Sequence, residues 1–137
     1  MKHRTSGIIL KDDKILLMFR RKLDREYYTL PGGKQEPNEN ISDTLIREIK
    51  EETNLKIIKH RLLVEIHDHL FQKYEYFFVC DKFVGYPELG GEEKEKSCES
   101  NFYQLEWVPI ERLSEINLLP HFIKYWLIEN IESIYPS

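Results

Sequence analysis

Three carboxylates, Glu48, Glu51 and Glu52, stand in the stretch Arg47-Glu48-Ile49-Lys50-Glu51-Glu52. On a helix, at about 100° per residue, they fall within one sector roughly 100° wide. Oxygen-only ligands at i, i+3 and i+4 suit a hard divalent cation such as Mg²⁺ or Mn²⁺ rather than Zn²⁺. Ile41, Leu45 and Ile49 occupy the overlapping and neighbouring sector, so the glutamates lie beside the stripe that should be buried. Asp43, Lys50 and Thr53 fall on the opposite surface. Three like charges beside a low-dielectric wall are unfavourable unless a cation joins them. A solvated face paired with Lys or Arg is the common alternative on glutamate-rich helices, and these residues alone leave it open.

The elements around this stretch must position it. Asn40 is a good N-cap, and Asp43 three residues on approximates a capping-box partner. The helix should end near Thr53, where Asn54 can take the left-handed conformation. Leu30-Pro31-Gly32-Gly33-Lys34-Gln35-Glu36-Pro37-Asn38-Glu39 leads into it, and its two glycines let the backbone approach a ligand closely. Upstream, the apolar runs 7–10 and 15–19 flank Lys11-Asp12-Asp13-Lys14 and read as a hairpin. Residues 27–30, 55–69 and 74–84 read as strands. Pro109 suits the first turn of a short helix over 110–115, and Pro120 opens a longer one carrying Phe122, Ile123, Trp126, Leu127 and Ile131. Residues 85–101 are polar, glycine-rich and without periodicity, a loop of the length that usually carries function.

The 137 residues fit one domain, 1–137, with no linker or repeat. Acidic residues outnumber basic ones 24 to 20, a net charge of −4, which argues against a broad grip on nucleic acid. Apolar residues at 41% supply a core. No apolar run reaches the roughly 18 residues of a membrane span, and the N-terminus lacks a signal-peptide stretch. Cys80 and Cys98 have neither paired metal spacing nor a disulfide framework, as expected of a cytoplasmic protein.

Gly33, five residues, Glu39, seven residues, then Arg47-Glu48-Ile49-Lys50-Glu51-Glu52-Thr53-Asn54-Leu55 resembles the Nudix box, Gly-x5-Glu-x7-Arg-Glu-U-x-Glu-Glu-x-Gly-U with U a bulky aliphatic residue. Gly33, Glu39, Arg47, Glu48, Glu51 and Glu52 match, as do Ile49 and Leu55, whereas Asn54 replaces the closing glycine. The opening strands, the Leu-Pro-Gly-Gly lead-in, the acidic loop, Glu106-Trp107-Val108 and the final helix extend the likeness over nearly the whole chain. It implies an α/β fold, a three-layer α/β/α sandwich around a central mixed sheet. It also implies hydrolysis of a nucleoside di- or triphosphate derivative by water attack on phosphorus, with Mg²⁺ or Mn²⁺ as cofactor. By the same resemblance, Glu48, Glu51, Glu52 and the Gly32 carbonyl hold metal, and Arg47 anchors the helix and loop carboxylates, Glu39 included. The general base is Glu48 or a glutamate of the downstream loop, with Glu92, Glu93, Glu95 and Glu99 as candidates.

Lys34, Arg20 and Arg21 are candidates to contact phosphates, and Asn101 to read a base edge. Tyr27, Tyr28, Tyr76 and Phe102 qualify as stacking platforms, although aromatics more often serve the core. His67 and His69 share a strand face but lack a third ligand, so they read as ordinary polar positions. The expected partner is a nucleotide-type small molecule, with no membrane and no broad nucleic-acid binding, and the chain is a monomer or a homodimer. A non-catalytic nucleotide sensor on the same fold is the alternative; such proteins usually lose box glutamates, and this chain keeps them.

Overall fold

The computed structural model of the chain describes residues 2–90 and 100–134. In chain order the elements are β1 (Lys2–Ile8), β2 (Leu10–Lys11), β3 (Lys14–Lys22), β4 (Arg25–Thr29), β5 (Gly32–Lys34), α1 (Ile41–Thr53), β6 (Lys56–Asp68), β7 (Lys73–Val84), β8 (Asn101–Pro109), a 3-10 helix (Ile110–Glu115), β9 (Leu118–Leu119) and α2 (His121–Ile134). The strands form two sheets. One is mixed, in the order β5-β1-β7-β6, with β1 parallel to β7. The other runs β2-β3-β4-β9, and β8 pairs antiparallel with β3.

Both faces of these strands are covered, which is why Ile15, Leu16, Leu17 and Met18 are all buried instead of alternating. Successive side chains point to opposite faces, so neighbours divide between two apolar clusters. Ile8, Ile15, Leu17, Phe77 and Val79 join Ile123, Leu127 and Ile131 of α2 on one side. Ile9, Leu16, Phe78 and Cys80 join Leu45 and Ile49 of α1 on the other. The result is the expected α/β/α layering, with the strand layer split into two hydrogen-bonded sheets. Burial pushes the Cys80 thiol up to about 12, which keeps it protonated. Cys98 lies outside the described residues.

The hairpin turn forms as expected: Asp12 and Asp13 take φ of 51° and 61°, the paired positive values of a tight turn between twisted strands. The strands at 55–69 and 74–84 appear as β6 and β7, and both C-terminal helices follow their prolines. β8 fills a stretch for which sequence gave no strand signal, and β1 begins five residues before the apolar run at 7–10. Thr53 departs from the helical projection. It is fully buried, because the chain turns directly into β6, and its hydroxyl is satisfied by the Ile49 carbonyl at 2.7 Å.

Ile49 and Leu45 pack α1 against the sheet. A Cβ on Gly7 would lie 3.0 Å from Ile49 Cδ1, so strand and helix are already at contact distance. Ile49→Ala should destabilise the fold by about 2–5 kcal/mol in denaturant unfolding. A loss below about 1 kcal/mol would mean that α1 is held by something other than this contact.

Candidate active site

Two glycines bring the backbone of β5 up to α1. At Gly32 a Cβ would run into the Thr5 carbonyl oxygen of β1, and at Gly33 it would run into the Glu48 carboxylate. The Gly32 N–H donates to Glu52 Oε2 at 3.2 Å, and Thr5 Oγ1 donates to the Gly33 carbonyl at 3.4 Å. Glu52 is only 7% exposed. The absence of a side chain at 33 is thus what lets Glu48 lie against the loop, and its absence at 32 lets β5 close on β1.

Local capping sets the helix ends. Asn40 Oδ1 accepts from the Asp43 N–H at 2.8 Å, and Asn54 takes the left-handed conformation at φ 67° with its N–H donating to the Lys50 carbonyl. Lys50 Nζ donates to Asn54 Oδ1 at 3.1 Å. Asparagine therefore serves at the position where the box has glycine.

Arg47 is the hub. Its Nε donates to Glu39 Oε2 at 2.7 Å and its Nη2 to Glu39 Oε1 at 3.0 Å, a bidentate fork. Nη1 donates to Glu48 at 2.7 Å and to Glu51 at 3.3 Å, and Nη2 also reaches the Lys34 carbonyl at 3.0 Å. Thr44 Oγ1 adds a bond of 2.7 Å to Glu39, and the Glu36 N–H another at 3.1 Å. These donors, Arg47 first, hold the Glu39 carboxyl at about 2, against an ordinary 4.5. Glu39 in turn raises the Arg47 guanidinium above its already high range. Thr44 is a participant that sequence reading passed over. Its signal was there: it sits one turn before Glu48 on the same helix.

Glu36, Glu39, Glu48 and Glu51 all lie within 3.6 Å of the one guanidinium, and Glu52 lies alongside on the Gly32 N–H, an excess of carboxylates over this one cation. Among the described residues, no three Asp, Glu, His or Cys side chains converge on one point as a metal cage; Glu48 and Glu51 are drawn to Arg47 instead. By charge and donor type these residues fit a hard divalent cation: oxygens only, and one carboxylate buried beside a backbone loop that a Cβ would fill.

The other expected residues are dispersed. Arg20 lies between Tyr103 and Tyr27, its guanidinium carbon 4.5 and 5.4 Å from their ring centres, and donates to the Tyr103 hydroxyl at 2.7 Å. Arg21 covers Phe102 at 5.0 Å. Asn101 stands opposite Lys22 at the start of β8. These belong to the second sheet, whereas Lys34 belongs to the first and turns its side chain to the face opposite Gly33. Burial and a hydrogen bond to Glu106 raise the Tyr28 hydroxyl. Tyr76 bonds His3 at 2.9 Å. His67 pairs with Glu65 at 2.7 Å. Glu92, Glu93, Glu95 and Glu99 lie outside the described residues.

A glycine loop, a capped helix and an arginine that gathers the carboxylates of both thus lie side by side in the fold. The chain matches the NUDIX domain over residues 1–128 and belongs to that family. It is 37% identical over 82 residues to an 8-oxo-dGTP diphosphatase of Buchnera aphidicola, a match over 58% of this chain and 62% of that protein. It is 34% identical over 109 residues to an ADP-ribose pyrophosphatase of Methanocaldococcus jannaschii, over 75% of this chain and 62% of that protein. The match thus spans less than two thirds of either relative's length. A MutT structure, from work on the Aliivibrio salmonicida and Vibrio cholerae proteins, superposes with a TM-score of 0.75 at 20% identity, covering 94% of this chain and 98% of that one. Among the described residues, no helix is long and apolar enough to cross a membrane.

The depressed Glu39 carboxyl has a consequence for folding. The unfolded chain takes up a proton near 4.5 and the folded one near 2, so this contribution is present above about 4.5 and disappears as pH falls toward 2. Between about pH 5 and about pH 3 the thermal midpoint of the wild type should fall more steeply than that of Glu39→Gln. Parallel curves would show that the fork does not hold the folded state together.

Proposed function

We propose that this protein is a divalent-metal-dependent hydrolase that cleaves a phosphoanhydride bond in a nucleoside di- or triphosphate derivative. The observation that carries this reading is the cluster itself. Glu48 lies against Gly33, Glu52 is buried on the Gly32 N–H, and Glu51 is tied to the same arginine. Glu48, Glu51, Glu52 and the Gly32 carbonyl would hold Mg²⁺ or Mn²⁺. When bound, that ion neutralises phosphate charge and makes water a better nucleophile at neutral pH.

The rest falls to the chain's own residues. Glu52, fixed by the loop N–H, keeps one oxygen pair at a constant distance from β5. Arg47 spreads its fork between Glu39 and Glu48, so the helix carboxylates keep their spacing while the loop stays closed. Glu48 beside Gly33 is one candidate to take the proton from the attacking water; Glu92, Glu93, Glu95 and Glu99 are the others. Arg20, Arg21 and Asn101, on the second sheet, are the residues through which substrate would be held away from the scissile bond; Lys34, turned to the face opposite Gly33, is not among them.

The two curated relatives act on different nucleotides by name, so the test is a panel that includes both 8-oxo-dGTP and ADP-ribose, with Mg²⁺ and with chelator. Product release should require the metal. Glu51→Gln and Glu52→Gln should each lower kcat/KM by roughly 100-fold or more. Arg47→Lys keeps the charge but loses the fork, and should cost roughly 10–100-fold. Wild-type turnover in Glu52→Gln would contradict the reading.

A further inference from the structure

A second charged surface lies on the other face of β5. Gly33 and Thr5 are register partners, and a Cβ on Gly33 would meet Glu48 of α1. Gly7, two residues beyond Thr5, touches Ile49 of the same helix. Alternation along the strands therefore turns Lys34 and Arg4 away from α1, and the β1–β7 register adds Lys2, Lys73 and Glu75 to that side. Arg4 sits between Lys34 and Glu75, and Lys2 beside Lys73.

With neighbouring strands ~5 Å apart and alternate residues ~7 Å apart, four cations share an area roughly 10 Å across. All four are exposed. They line a cavity of about 120 Å³ together with Tyr74 and Glu75, and Glu75 is the single carboxylate among the described residues lining it. Two carboxylates stand on the same face, Glu75 opposite Arg4 and Asp68 opposite Lys73, so the four cations keep a local positive excess on a chain of net charge −4. The cavity has the volume of about four water molecules, enough for one or two phosphoryl groups and well below the roughly 300 Å³ where pockets for larger organic ligands begin. An arginine fork and lysine point charges are the donors that phosphate oxygens take best.

We propose that Lys2, Arg4, Lys34 and Lys73 form a binding site for the end of a multiply charged phosphate chain, on the sheet face opposite the Glu48 carboxylate. The site shares β5 with the carboxylate cluster, since the Lys34 carbonyl accepts from Arg47 at 3.0 Å. It goes beyond the hydrolase reading and does not require it.

The test is titration of the full chain with inorganic pyrophosphate in the presence of chelator, so that no divalent ion can bridge the ligand to the α1 glutamates. Saturable binding is expected, weakening as salt is raised. Arg4→Gln combined with Lys73→Gln should weaken it by about 10-fold or more, while the charge-keeping pair Arg4→Lys and Lys73→Arg stays within about threefold. Should the glutamine pair fail to fold, Lys73→Gln alone, at the exposed start of β7, should still weaken binding several-fold. A parallel titration with ADP separates the sources: equal affinity assigns the site to a free phosphate chain, and tighter ADP to the phosphates of a nucleotide. Absence of saturable pyrophosphate binding in the wild type, or binding unmoved by these glutamine variants, overturns the proposal. Pyrophosphate binding intact, with no nucleotide turned over in the Mg²⁺ panel, would instead sink the hydrolase reading alone.

Discussion

One guanidinium holds the loop and the helix of the candidate site together. Arg47 uses its donors on Glu39, Glu48, Glu51 and the Lys34 carbonyl, so a single side chain fixes three carboxylates and one strand at distances of 2.7–3.3 Å. A lysine could not do this, because a point charge on a flexible stem has no planar fork to hold two oxygens of one carboxylate in place. The hydrophobic layers supply the platform: Leu45 and Ile49 press α1 onto β1 and β7, and the glycines of β5 let the loop close beneath it. Without that packing the arginine would be an exposed ion pair, which contributes little.

The arrangement leaves an electrostatic imbalance, and the proposed function rests on that imbalance. The glutamates gathered about Arg47, with Glu52 beside them, would repel one another and any phosphate that approached. On the proposed reading, a hard dication would reverse the sign of that field where the anhydride comes close. Holding carboxylates ready with an arginine, rather than letting them relax apart, places the cost of assembly in the folded state. Membership of the NUDIX family is consistent with this division of labour, and the two named relatives differ in substrate while sharing the phosphoanhydride bond.

The helix at the centre was legible in the sequence because its signals are local. Asn40, the four-residue spacing of apolar side chains and Asn54 all act within a turn or two of where they stand. The glutamates on the box pattern were equally legible as a set. What lay hidden depends on distant partners. β1 opens with Lys2, His3, Arg4, Thr5 and Ser6, a polar run that becomes a strand because β7, some seventy residues on, runs parallel on one side and β5 antiparallel on the other. β8 mixes polar and apolar residues and is set by its long register with β3. The same limit applies at the site. Lys34 follows the glycines directly, so sequence alone assigned it to phosphate near the carboxylates. Strand alternation sends its side chain to the other face. Thr53, projected outward on an isolated helix, is buried because the next element begins at once.

The central claim is that the α1 carboxylates, kept in order by Arg47, bind a hard dication. The most direct measurement is Mn²⁺ binding followed by electron paramagnetic resonance, without substrate. The account predicts saturable binding by the wild type and binding weakened at least about tenfold in Glu52→Gln. Equal Mn²⁺ affinity in the two proteins would contradict it.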